Sequence, residues 1–577
     1  MKSLPRWDLT PIYPGPESAE FLSDLELVRT KSAELELRLA DEKSDLQANI
    51  EAFELILDHV ENLGAYSNAL VTTDTTNSVY LKALNQVEDL LLVLNPLTVL
   101  FLRHLAKRED EIKTRGSDDP YAYVLQGLLI EQQHLMSDEL EEFATDLARS
   151  SWDAFTRLQQ SLGSSISAEW EEGVRKTVVE LRNMATDSDR AIRKKAFEKE
   201  LELLQTHEEA FAAALNGVKG ATISLDTRRG WSTPLERSIF ESRIDSEILT
   251  ALIATLEEAV PLFQSYLKKK AEFLGVERLA FYDLFAPVAK SAKRYTYEEA
   301  QSFIVEHFAR FNKKMGEFAN KAFEEHWIDP EPRKGKVGGA YDTSFPVAKQ
   351  SRILSNFDYT YSGVSTLAHE LGHAYHDSQV LHHSGLLRSY PMPLAETASI
   401  FCEGLIFQGA LEEANEEEQI ALIEALLQDS TQVCLDILSR FYFEEEVFKR
   451  RKEGDITAKE LNEIMLDAQK RTYGPALDTY HPYMWTIKSH YYHQGFSYYN
   501  YPYAFGQLFG LGLTKRSESD KEAFVDQYDA LLSVSGMKSV RDVGLEAGID
   551  LGDRAFWKEG IEVIAHYVEV FKHARAH

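Results

Sequence analysis

Apolar residues recur at steps of three and four along most of the chain, as in Phe53, Ile56, Leu57, Val60 and Leu63. That spacing lays an apolar stripe along one face of an α-helix. Helical texture dominates from about residue 17 to 330. It gives way between Lys334 and Thr360, where KGKVGGAYDTSFPVAKQSRILSNFDYT clusters glycine and holds two short stretches compatible with strands. After Ser365 helices resume and run to the end. The pattern predicts a mostly α chain with one small β-sheet just before a helix. A soft boundary falls near Asp187–Arg190, where NMATDSDRAIRKKAFEKE offers Asp and Ser caps ahead of a helical run. It divides an N-terminal helical lobe, residues 1–190, from a larger domain, residues 191–577. There is neither an internal repeat nor a low-complexity linker.

The most apolar stretch, Leu90 to Leu102, spans 13 residues interrupted by Asn95 and Pro96. A bilayer needs roughly 20, so the stretch reads as a core helix. The chain is large enough, at 577 residues and 44% hydrophobic, to bury a sizeable core. Its 93 acidic against 62 basic residues give a formal charge of −31. That charge opposes phosphate backbones and anionic lipid surfaces, so neither nucleic acid nor membrane is an expected partner. Two cysteines, Cys402 and Cys434, cannot build a disulfide framework and sit in no CxxC pair. The opening MKSLPRWDLTPIYPGPES meets charge and proline before any apolar run long enough for a signal-peptide core. Both features point to a reducing, cytoplasmic setting.

The chemistry concentrates in VSTLAHELGHAYHDS, where His369, Glu370 and His373 form HExxH. Ser365 or Thr366 is placed to cap the helix that carries it. Residues four apart share a helical face, so both imidazoles can reach one ion at about 2.0–2.1 Å while Glu370 stands beside them to take a proton from water. HExxH also arises by chance, so a third ligand is needed. Glu396 in PMPLAETASIFCEGL lies 23 residues beyond His373 on a second helix, with Pro393 at its start and Ala398, Phe401, Cys402 and Leu405 as its buried face. His376 is a rival, but it stands about 10.5 Å along the axis from His369, which leaves it to the cleft wall or a hydrogen bond. His382 and His383 read as exposed loop residues. Glu403 shares a face with Glu396 and is placed either to hydrogen-bond a ligand imidazole or to serve as an ordinary polar position.

Eight of the 26 tyrosines fall between Tyr480 and Tyr503, together with His481, His490 and His493. Amide hydrolysis develops an oxyanion that phenol or imidazole donors stabilise. An aromatic core with locally satisfied hydroxyls is the competing account of each tyrosine taken singly.

With these residues in hand, the chain resembles the oligoendopeptidase F branch of the thimet oligopeptidase family of zinc peptidases. The likeness runs through ATDSDRAIRKKAFE, GKVGGAY, SRILSNFDYTYSGVSTLAHELGHAYH, AETASIFCE and HYYHQGFSYYNYPYAFGQLF. It implies one zinc per chain held by His369, His373 and Glu396, with Glu370 as general base. It further implies His490 and Tyr501 as oxyanion or substrate-positioning donors, with Tyr498 nearby. Gly338, Gly339, Ala340 and Tyr341 match the family's strand that pairs with the substrate backbone. The last segment has HYY where the family usually has HFY. The implied fold is a two-lobed, mostly helical zincin-type body with a deep central channel and a small β-sheet next to the metal helix. The implied activity is endopeptidase action on short unstructured oligopeptides, with dipeptidyl carboxypeptidase or other exopeptidase action of the same fold as the alternative. No GxMEN-like amine anchor of the HExxH aminopeptidases is found. A helical peptide-binding scaffold with a structural zinc is the reading from outside the enzymes. Oligomeric state, monomer or dimer, is left open.

Overall fold

A computed structural model of the chain describes residues 4–289, 293–518 and 521–574. Its contacts divide it into two compact units. The first comprises Met1–Gln133, Lys293–Glu412 and Leu513–Asp550; the second comprises His134–Ala292, Glu413–Gly512 and Leu551–His577. Each unit thus draws on three separate stretches, in place of the single division expected at residue 190. Asp187–Arg190 lies inside the second unit, where Asp189 caps the helix Arg190–Arg228 by accepting from the Ala191 N–H. The cap signal marks a helix start and carries no information about where one unit ends.

In the first unit, helix α1 (Leu46–Thr73) begins at Asp45, whose side chain accepts from the Ala48 N–H, and buries Phe53, Ile56, Val60 and Leu63 as their spacing predicts. Helix α2 (Ser78–Lys107) starts on the Asn77 side chain and continues through Pro96. The expected short core helix is therefore a segment of a 30-residue one. It is long and apolar enough to cross a membrane by length and composition, with 41% of its apolar window buried. Val87, Leu90, Leu94, Leu97, Phe101 and Leu105 form the stripe that joins the core of this unit, while Leu91, Leu92 and Leu100 stay exposed. Every third or fourth residue packs, which is how a one-sided helix seats on its neighbours.

The expected sheet is present and has one more strand. Strands β1 (Ile328–Asp329), β2 (Tyr341–Phe345) and β3 (Gln350–Leu354) lie in the order β1-β3-β2. β2 pairs antiparallel with β3 from Tyr341 opposite Leu354 to Phe345 opposite Gln350, and β1 runs parallel to β3. β2 is therefore an edge strand. Helix α3 (Tyr361–Val380) packs against both β2 and β3, and helix α4 (Met392–Glu413) follows it. Pro393 sits in the first turn of α4, a position that loses no helical hydrogen bond.

The second unit is built on long helices, among them Arg190–Arg228 and Ser246–Phe273. It also carries two small β ladders that the periodicity did not predict. Ser167–Glu171 pairs with Val174–Thr177, and Leu279–Ala280 pairs with Leu477–Thr479. Buried ions here come in pairs. The Lys219 ammonium donates to Glu444 at 2.6 Å, and Glu200 accepts from Arg182 at 2.8 Å with His481 at 3.0 Å. An unpaired charge at such depth is costly enough to disfavour the fold.

Candidate metal centre

Helix α3 starts five residues ahead of the expected cap. Asp358 accepts from the Thr360 backbone N–H at 3.0 Å, and the Thr360 side chain accepts from the Gly363 N–H at 3.2 Å. This Asx turn ends the loop at Thr360 and leaves Ser365 inside the helix. The Ser365 hydroxyl instead donates to Glu403 at 3.3 Å.

About one turn beyond Ser365, His369 and then His373 share one face of α3. Helix α4 crosses at Gly372, where an added Cβ would stand 2.6 Å from the Ser399 Cα and 2.7 Å from the Ala398 carbonyl oxygen. Only glycine permits that approach, and the approach carries Glu396 to the histidines. The Nε2 atoms of His369 and His373 are 3.2 Å apart, and Glu396 Oε2 lies 3.3 Å from the first and 3.6 Å from the second. A tetrahedral ion with ligands at about 2.0–2.1 Å has ligand-to-ligand edges of about 3.3–3.4 Å. The three ligand atoms therefore fit zinc. Among the described residues, they form the one His/Cys/Asp/Glu group with ligand atoms mutually within 4.8 Å.

The surroundings prepare the ligands. The His369 Nδ1–H donates to Glu403, which leaves Nε2 toward the centre. Burial works against a charged His369, but Glu396 and Glu403 override it and hold its pKa well above the ordinary value. Burial, aided by the charge of His369, pulls His373 down to about 4. Glu396 is raised by burial but brought to about 2 by its hydrogen bond to His369 and the charges of both histidines, and the Ser399 hydroxyl donates to it at 2.9 Å. Glu370 is 6% exposed. Burial raises it to about 7, against the pull of His369 and a smaller one from the Asp342 backbone.

These side chains open on a cavity of about 570 Å³, lined by Ala340 and the β2 residues Tyr341 to Ser344, by His369, Glu370, His373 and Asp377 from α3, and by Tyr390 and Glu396. Ala340 and Tyr341 thus reach the cavity, while Gly338 and Gly339 form the turn before it. Gly339 has φ +80°, and its carbonyl accepts from Asn356 Nδ2 at 2.9 Å. The Tyr341 phenol turns toward α1 and hydrogen-bonds Thr72 Oγ1 at 2.5 Å. His376 is fully buried, stacks on Tyr390 with centroids 4.0 Å apart, and bonds Ser535 Oγ at 2.8 Å. It packs the helix and is no ligand. His382 is exposed as expected, whereas His383 is half-buried against the Ser533 carbonyl at 3.0 Å.

Asp342, Asp377 and Tyr390 are wall residues that sequence reasoning did not single out. Asp377 follows His373 by four residues, so the helical period that found the ligands could have found it as well. Asp342 and Tyr390 arrive from other elements and left no local signal.

His490, Tyr498 and Tyr501 belong to the second unit. His490 is half-buried, donates its Nδ1–H to Asn500 Oδ1 at 3.2 Å, and stands tilted to Tyr499. Burial lowers its pKa below the ordinary value. The Tyr501 hydroxyl is buried and donates to Ser242 Oγ at 2.8 Å and the Ser238 carbonyl at 3.2 Å. Tyr498, 5% exposed, packs between Phe441 and Phe448. In this structure both phenols serve the interior of their unit, and Tyr499 is the half-exposed one beside His490.

The model of peptidase family M3 matches residues 183–563, a span that takes in the metal helix, Glu396 and the aromatic segment. The chain belongs to peptidase family M3. It is 23% identical over 569 residues to oligopeptidase PepF of Bacillus subtilis, covering 96% of this chain and 84% of that one. It is 24% identical over 595 residues to an oligoendopeptidase F homolog of Borreliella burgdorferi, with 98% of each covered. The solved oligoendopeptidase-F from Enterococcus faecium superposes with a TM-score of 0.65 at 18% identity, over 96% of each chain. At that identity the superposition bears on the fold alone. Within the M3 family the chain falls in the oligoendopeptidase F branch, and it is a peptidase with peptides as its substrates.

Proposed function

We propose that this M3 peptidase is a zinc-dependent endopeptidase that hydrolyses internal bonds of short, unstructured oligopeptides. The observation that carries the reading is that His369, His373 and Glu396 set three ligand atoms at separations matching the corners of a zinc-sized tetrahedron, with Glu370 beside them. One zinc ion bound there supplies Lewis acidity toward water and the scissile carbonyl. Glu403 keeps His369 in the tautomer that presents Nε2. Glu396, ionised, offsets the charge of the ion.

Glu370 is the general base. It accepts a proton from the attacking water and passes it to the leaving amine, a round trip that suits a carboxyl poised near neutral pH. The edge strand β2 offers unpaired backbone groups along the cavity, to which an extended peptide can add as a further strand. Such pairing reads backbone rather than sequence, which fits short peptides of varied composition. His490 is kept as a donor to the oxyanion. Cys402 and Cys434, both free and buried, support a reducing cytoplasmic setting.

The test is cleavage of a peptide blocked at both ends, with products weighed by mass spectrometry. Internal cuts that stop on chelation and return with zinc support the reading. Removal of dipeptides from a free C-terminus, with blocked peptides untouched, makes the enzyme a carboxydipeptidase instead.

A further inference from the structure

Strand β2 and the metal helix meet through two carboxyls that the chemistry above does not use. Asp342 stands on β2 and Asp377 on α3, one turn beyond His373, and both line the cavity. Asp377, 9% exposed, is well supplied with donors. The Tyr390 hydroxyl donates to it at 2.8 Å, and the Ser344 hydroxyl lies near enough to favour its charged form.

Asp342 is in the opposite condition. Its Oδ1 is buried without a hydrogen-bond partner; the Thr343 backbone N–H approaches the carboxyl, and the Asp377 carboxyl faces it. The charged neighbours do not relieve it. Glu370 on α3 adds negative charge at Asp342, and Glu61 on α1 adds it at Asp377. Arg352 on β3 is near enough to feel Asp342, but its guanidinium is taken up by the Asp8 and Ser351 carbonyls and by Gln350. Arg388 is held by Asp58 and Glu61. Two facing carboxylates with no cation between them do not both ionise. A single proton between them removes the repulsion and gives the orphaned oxygen its partner.

We propose that Asp342 is a positioning residue that acts as a neutral carboxylic acid, donating to Asp377 and so tying the free-edged strand β2 to the metal helix. The backbone of the same residue lies near enough to Glu370 to favour its charged form, so the tie also bears on how the strand edge stands to the base. The catalytic consequence rests on the peptidase mechanism proposed above; the tie itself does not. Burial and the neighbouring Asp377 and Glu370 raise Asp342 well above the usual carboxylate range, in keeping with a retained proton.

Two variants test it, with thermal melting and peptide cleavage as independent readouts. Asp342→Asn keeps a donor toward Asp377, while Asp342→Leu removes it. Zinc content should be unchanged in both. Asp342→Leu should lose about tenfold or more in kcat/KM, the scale of a removed supporting contact, and Asp342→Asn should recover most of that loss. Wild type must hold a proton that its unfolded chain releases, so its stability falls as pH rises above the ordinary carboxylate value; Asn carries no such proton. The Tm advantage of Asp342→Asn over wild type should therefore grow from about pH 5 to about pH 8. A Tm difference that stays flat across that range overturns the shared proton, whether or not the zinc mechanism proposed above holds. An Asn variant as impaired as Leu, in an active enzyme, overturns the positioning role.

Discussion

Gly372 and Ser399 touch through their backbones: a Cβ on residue 372 would stand 2.6 Å from the Ser399 Cα. That contact is what lets α4 lie close enough to α3 for Glu396 to meet two histidines. Gly372→Ala therefore pushes on main chain, which cannot swing away as a flexible side chain would. Overpacking of this kind costs roughly 1–3 kcal/mol. The variant is expected to melt earlier and, after dialysis against trace zinc, to hold less than one ion per chain. Full occupancy by elemental analysis would show that Glu396 does not depend on this crossing.

Glu403 presents a separable test of the support around His369. Its loss leaves the His369 Nδ1–H without its carboxylate, and such outer partners are worth about 10–100-fold in metal affinity or activity. Glu403→Ala should weaken zinc binding on that scale, read by competition with a chromogenic chelator. Its fold, followed by circular dichroism, should be unchanged.

Acid should loosen the second unit through Glu200. Burial alone would raise that carboxyl, but the charges of Arg182 and His481 override it and hold it below its ordinary value. A depressed carboxylate contributes stability above the unfolded pKa, and that contribution is lost as pH falls through the folded one. Wild type is thus expected to lose Tm progressively below about pH 5. Glu200→Gln should lower Tm at neutral pH, at a cost of roughly 2 kcal/mol, and flatten the acid limb. Parallel Tm curves for the two proteins would contradict this.

The aromatic segment separates two roles that its composition blurs. The Tyr501 hydroxyl donates inward to Ser242, so Tyr501→Phe should cost about 1 kcal/mol of stability and leave kcat nearly intact. His490→Ala should lower kcat with zinc content unchanged. A large kcat loss in Tyr501→Phe at unaltered Tm would restore the donor role that the family resemblance implies.

These contrasts follow the reach of local pattern. His369, Glu370 and His373 were legible because one helical period places them, and β2 and β3 because glycine clusters and short apolar runs mark strands. Glu396 was legible as a helix residue at suitable range. The cap was misplaced because Ser365 looks like a capping residue until the Asp358 turn is seen to start α3 earlier. Asp342, Tyr390 and the contact at Gly372 depend on segments brought together only by packing, and no periodicity records that. The unit boundaries were hidden for the same reason: each unit is assembled from three stretches of chain.

The most direct test of the account is Glu370→Ala, assayed on an internally quenched peptide with zinc content measured on the same sample. The variant should bind about one zinc per chain through His369, His373 and Glu396, and should lose about 10²–10⁴-fold in kcat, the usual share of general acid and base catalysis. Cleavage at the wild-type rate by a zinc-loaded Glu370→Ala would contradict the assignment of Glu370 as base and the mechanism built on it.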